Sequence, residues 1–159
     1  MKDNNNQKEI TVFDIANYII VNSKNDPNLT HMKLHKVIYY SYVKYLLKYK
    51  KPLISEKPKA WLYGPVFGKL YFVLKEYYEK QIKKPLPNGK LKKIDIGRQK
   101  VIDEILNLCK KLNGYKLSYI SHTQEPWIQI YNQRYENNNN IIPDNLLVEY
   151  FSKKDNVLK

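Results

Sequence analysis

The chain has 159 residues, 43 % hydrophobic and 13 % aromatic, enough for one folded domain with its own core and too apolar for a disordered chain. Its net charge is +13, from 28 Lys and Arg against 15 Asp and Glu, and it holds one cysteine. A lone cysteine excludes an internal disulfide, and no apolar run approaches the ~18 residues of a spanning helix, so the expected setting is the reducing cytoplasm, without membrane contact.

The opening "MKDNNNQKEI" is polar and lacks the hydrophobic region of a signal peptide. Residues 1–9 read as a flexible leader, residues 10–153 as a single domain and residues 154–159 as a C-terminal tail. At "TVFD", Thr11 can cap a helix with Asp14 three positions on. Val12, Ile15, Ala16 and Ile19 then recur at helical spacing until "NSKNDPN". Thr30 caps a longer second helix. Leu34, Val37, Ile38, Ser41, Tyr42, Tyr45 and Tyr49 fall on one face of it, with Lys33, Lys36 and Lys44 expected to point away.

Residues 53–63 lack helical periodicity and read as extended, with Pro58 fitting an edge. Within "AWLYGP", Trp61 and Tyr63 alternate and are expected to face one side. Gly64 supplies backbone freedom and Pro65 the first turn of the next helix. Val66, Phe67, Leu70, Tyr71, Leu74, Tyr77 and Tyr78 give its stripe. After "KKPLPNG", residues 91–96 alternate and are expected to pair with residues 57–62. Residues 98–112 carry the most regular helical pattern, with Cys109 on the apolar stripe and Asn113-Gly114 at its end. "LSYISHTQEPW" joins two further helices, with Pro126 in a first turn. A last short helix starts at Pro143. The sum is a mainly α, compact single-domain fold of five to seven helices with a small two-stranded β element.

Signatures of catalysis are missing from the sequence. Cys109 lies on a buried stripe rather than in an exposed electropositive setting. His122 and Glu125 form H-x-x-E, and His31 and His35 an i, i+4 pair, but neither brings a full ligand set. Neither a phosphate-binding glycine loop nor a nucleophile elbow occurs. The expectation is a protein without enzymatic activity, cofactor or metal.

The charge is almost all lysine, since Arg98 and Arg134 are the only arginines. Lysines are point charges, whereas base readout favours arginine's planar fork. A solvated lysine surface that attracts acidic partners is the simpler reading; a nucleic-acid-binding transcriptional regulator is the alternative. Trp61 and Trp127, the only tryptophans, both sit at element junctions. They can pack corners, or converge with His122 on an aromatic-lined pocket.

Four blocks, "LTHMKLHKVIYYSYVKYL", "PKAWLYGPVFGKLY", "LSYISHTQEPW" and "IIPDNLLVEYF", together resemble the Panacea domain, the SocA-like antitoxin family, some of whose members are phage-associated proteins. The resemblance spans residues 11 to 152. It implies a compact helical antitoxin that binds a toxin protein, without chemistry of its own. Its hallmark positions fall on Leu34, Lys36, Tyr39, Tyr40, Trp61, Gly64, Pro65, Val66, Leu70, Tyr71, Leu117, Ser118, His122, Pro126 and Trp127. The chain departs from the family at His35 and Tyr42, often glutamine, at Gly68, often proline, and at Ser121, often threonine. The implied partner is a cognate toxin encoded by the adjacent gene, with a protease or DNA as further contacts. Tyr39, Tyr40, Tyr63, Tyr115 and Tyr119 are the expected aromatic anchors.

Overall fold

A computed structural model of the chain describes residues 9–89, 94–136 and 139–159. Helix α1 (Val12–Val21) starts with a full capping box: the Thr11 N–H donates to the Asp14 carboxylate at 2.9 Å while Thr11 Oγ1 accepts from the Asp14 N–H. Helix α2 (His31–Tyr49) is capped by Thr30, which accepts from the Lys33 N–H, and closes on Lys50 in the left-handed conformation.

Most of the fold is arranged around α2, which touches α1, α4 (Ile96–Leu108), α5 (Gly114–His122), α7 (Asp144–Phe151) and strand β2 (Gly64–Val66). All residues from Lys33 to Val43 are therefore buried, including Lys33 and Lys36, two of the three lysines expected to face solvent. Val37, Ile38, Tyr39, Tyr40, Tyr42 and Val43 make the helix apolar on every face, which is the pattern of a buried helix. Lys33 is accommodated by an ion pair with Asp26 at 2.7 Å and a hydrogen bond to the Cys109 carbonyl at 3.1 Å. Gly114 allows α5 to cross α2 closely: a Cβ there would lie 2.8 Å from Met32 Cβ and 2.9 Å from the Lys33 nitrogen.

The β element differs from the sequence expectation in its partner. Strand β1 (Lys59–Trp61) pairs antiparallel with β2, with Trp61 opposite Gly64. "AWLYGPV" is thus a hairpin turning at Leu62 and Tyr63, so Trp61 and Tyr63 do not share a strand face, and Pro65 sits in a strand. Helix α3 (Gly68–Leu74) begins only after Phe67 and ends in a 3₁₀ turn over Lys75–Tyr77. The other side of β1 is taken by residues 140–142, through Ala60 N–H to the Asn140 carbonyl at 2.8 Å and Ile142 N–H to the Pro58 carbonyl at 2.9 Å. Of the expected strand at 91–96, residues 91–93 lie outside the described residues and Ile96 opens α4, capped by Asp95. Asn113 caps α5 rather than ending α4.

Helix α6 (Glu125–Asn132) carries Pro126 in its first turn, and α7 follows Pro143. Buried polar side chains tie distant segments to this frame. Asn17 exchanges two hydrogen bonds with the backbone of Leu86, at 2.7 and 3.0 Å, and so holds the proline-rich loop after α3. Gln124 accepts from the Tyr40 hydroxyl at 2.9 Å and donates to the Val157 carbonyl at 2.9 Å, which fixes the end of the chain. Cys109 is free and buried. Among the described residues, seven α-helices and one two-stranded sheet make a mainly α fold, and no helix is long and apolar enough to cross a membrane.

Candidate functional site

The hairpin between β1 and β2 is held by a run of side chains that bind its backbone. The Trp127 indole N–H donates to the Trp61 carbonyl at 2.8 Å. His122 Nε2 lies 3.0 Å from the Leu62 carbonyl, which can only accept, so that nitrogen carries the proton. The Ser118 hydroxyl donates to the Tyr63 carbonyl at 2.6 Å, and the Lys36 ammonium to the Pro65 carbonyl at 3.3 Å. His35 Nδ1 accepts from the Phe67 N–H at 3.2 Å just beyond the strand. Turn carbonyls that would otherwise need water are thus satisfied by α2, α5 and α6.

Gly64 is the position that makes this closeness possible. Its φ is +106°, and a Cβ would stand 2.5 Å from Lys36 Cε and 2.6 Å from Ser121 Oγ. Ser121 is itself buried and donates to the Ser118 carbonyl at 2.7 Å. Aromatic packing completes the corner. His122 and Trp127 have ring centroids 4.1 Å apart, Trp127 stacks on Tyr131 at 4.5 Å, and Trp61 meets Tyr71 edge-on at 4.9 Å. The two tryptophan junctions do converge, through the indole of one and the backbone of the other.

Sequence-predicted residues therefore divide into three groups. Lys36, Trp61, Gly64, Pro65, Ser118, His122 and Trp127 meet at the hairpin, and Pro126 opens the helix that carries Trp127. Tyr39 and Tyr40 do not join a surface: both are fully buried, because α2 is enclosed on all sides. Tyr63, Tyr115 and Tyr119 are 60, 60 and 64 % exposed, and with Leu62 they present an aromatic face along the hairpin tip and the outer side of α5. Tyr78, expected on the apolar stripe of a helix, instead lies beyond the 3₁₀ turn and is 77 % exposed. Leu62 was missed by the sequence reading, because the central turn positions Leu62 and Tyr63 are not usual turn residues.

Beneath that face lies a cluster of basic groups. Burial lowers the Lys36 ammonium to about 7. Burial, then the charge of Lys36, takes His31 down to about 4, and burial with the neighbouring His31 and Lys36 holds His35 well below the usual imidazole range. His122 is lowered more mildly, by burial, despite its bond to Leu62. The His31 and His35 rings sit 4.8 Å apart. Among the described residues, no group of three or more His, Cys, Asp or Glu side chains could hold a metal ion.

A search of curated proteins and one of solved structures give no match. The family model described as antitoxin SocA-like, Panacea domain, matches residues 34–128, which includes Lys36, the hairpin, Ser118, His122 and Trp127 but not the closing block after Pro143. With more than half of its length matched in this way, the chain belongs to the SocA-like antitoxin family of Panacea domains.

Proposed function

We propose that this protein is a non-catalytic binding module that neutralises a cognate toxin by forming a direct complex with it. Family membership supports the antitoxin role, and one observation carries the mode of action. A rigidly clasped hairpin presents Leu62 and Tyr63 beside the exposed Tyr115 and Tyr119 of α5. Exposed tyrosines on a fixed frame make good anchors, because they bring contact area at low entropic cost. The net charge of +13 favours an acidic partner and a salt-sensitive association rate.

The experiment is co-expression with the product of the adjacent gene, followed by co-purification and measurement of affinity. The expected result is rescue of growth from a toxic neighbour and a stable complex burying roughly 1,200–2,000 Å². Tyr119→Ala should weaken that complex about 30-fold, roughly 2 kcal/mol, with the melting temperature unchanged. A neighbour that is harmless alone and forms no complex removes the reading.

A further inference from the structure

We propose that the cavity beneath the hairpin, floored by His35 and Lys36, receives a carboxylate side chain presented by the partner protein. The proposal rests on the toxin-binding reading and names the chemistry of its central contact. The cavity has a volume of about 400 Å³ and opens among residues of the exposed aromatic face, with Tyr63 and Tyr115 at its mouth. Tyr71 and Val66 give it apolar walls suited to the methylenes of an acidic side chain.

Its floor holds one donor without an acceptor and an ammonium with only one of its N–H groups engaged. His35 Nδ1 is occupied as an acceptor by the Phe67 N–H, so in the neutral ring Nε2 carries the proton. That Nε2 is buried and has no hydrogen-bond partner. Lys36 is 1 % exposed and bonds the Pro65 carbonyl, which uses one of its N–H groups. A carboxylate accepts at both oxygens and would supply the acceptor that this floor lacks. It would also favour the charged form of a lysine that burial has lowered to about 7.

The remaining charges agree with an anion. Lys75 adds a cation at the lining. Glu79 is the one acidic residue there among the described residues, and its carboxylate already accepts from the Tyr115 hydroxyl. A metal fits poorly: the His35 nitrogen not used by the backbone is protonated, and the nearest charge is a lysine. Pairing the basic floor with an aromatic mouth points to a protein side chain, since exposed tyrosines anchor partner polypeptides.

The test has two arms, both on the full chain. In the first, ¹⁵N-labelled protein is titrated with N-acetylglutamate α-methylamide and, separately, with N-acetylglutamine α-methylamide, which differ only in side-chain carboxylate against amide. The expected result is movement of the His35 ring resonances by the acid alone, at least tenfold weaker in Lys36→Met. Because Lys36→Met also removes the bond to the Pro65 carbonyl that helps to hold the hairpin, Lys75→Glu, an exposed position, is measured in parallel and should weaken the response severalfold. An equal response to acid and amide, or none, overturns the proposal.

In the second arm, each acidic residue of the adjacent-gene product is changed to its amide, and complex affinity is measured against wild type and Lys75→Glu. One acidic position should cost tenfold or more, and that cost should shrink in the Lys75→Glu background. A complex with no such coupling overturns insertion of a partner side chain; if the first arm responds, the ligand is a free carboxylate instead. A positive first arm without any complex removes the toxin-binding reading while leaving the pocket chemistry standing.

Discussion

The indole N–H of Trp127 donates to the backbone carbonyl of Trp61 at 2.8 Å, so the two tryptophans of the chain are joined through one hydrogen bond rather than through stacked rings. That bond crosses from α6 to β1 and lies beside the His122 contact to Leu62. Trp127→Phe keeps an aromatic ring against His122 and Tyr131 but leaves the Trp61 carbonyl without its donor. The expected cost is about 1–2 kcal/mol, read as a lower midpoint in urea with an unchanged slope.

Gly64→Ala should cost more. The substitution adds a Cβ 2.5 Å from Lys36 Cε and 2.6 Å from Ser121 Oγ, at a φ of +106° that side-chain-bearing residues avoid. Strain and overpacking together are expected to remove about 3 kcal/mol. Adding Ser121→Gly should recover only part of that loss, because the backbone angle is untouched. Full recovery in the double variant, measured by urea unfolding, would show that crowding rather than φ dominates.

The buried tyrosines of α2 give opposite expectations from neighbouring positions. Tyr40 donates to Gln124, whose amide in turn holds the Val157 carbonyl. Tyr40→Phe leaves the Gln124 oxygen unpaired and should destabilise by about 1–2 kcal/mol. The Tyr39 hydroxyl is buried with no partner. Tyr39→Phe removes that unsatisfied group and should be neutral or stabilising by about 1 kcal/mol. The sign of the difference between the two variants is the readout.

These cases also mark what the sequence could reveal. Thr11, Thr30 and Pro126 were legible because caps and first turns are decided within a few residues of chain. The partner of β1 was not, because the hairpin turns on Leu62 and Tyr63, which carry no turn signal, while Pro65 resembles a helix start. Burial of Lys33 and Lys36 depends on the elements that surround α2, which periodicity along one helix cannot report. The all-round apolar character of residues 37–43 was the available clue. His31 and His35 were legible as an i, i+4 pair; that one of them faces a cavity with an unpaired donor required coordinates.

Stability should fall on mild acidification, and the basic cluster under the hairpin sets where. His31 is lowered to about 4 and His35 lies well below its usual range, both first by burial. In the unfolded chain each returns to about 6.5 and takes up a proton that the folded form refuses. The unfolded state therefore binds more protons below pH 6.5, and stability is lost as the pH falls from there toward 4. Each histidine contributes a slope of up to about 1.4 kcal/mol per pH unit. His31→Gln should remove one such contribution without touching the Phe67 contact of His35. Lys36 acts in the same sense at higher pH, since its folded value of about 7 lies below the unfolded one. Stability should rise from pH 7 toward 9.5, and Lys36→Met should flatten that limb while leaving the acid limb in place. Urea midpoints measured from pH 4.5 to 9.5 for the three proteins decide the matter; parallel profiles would remove both assignments.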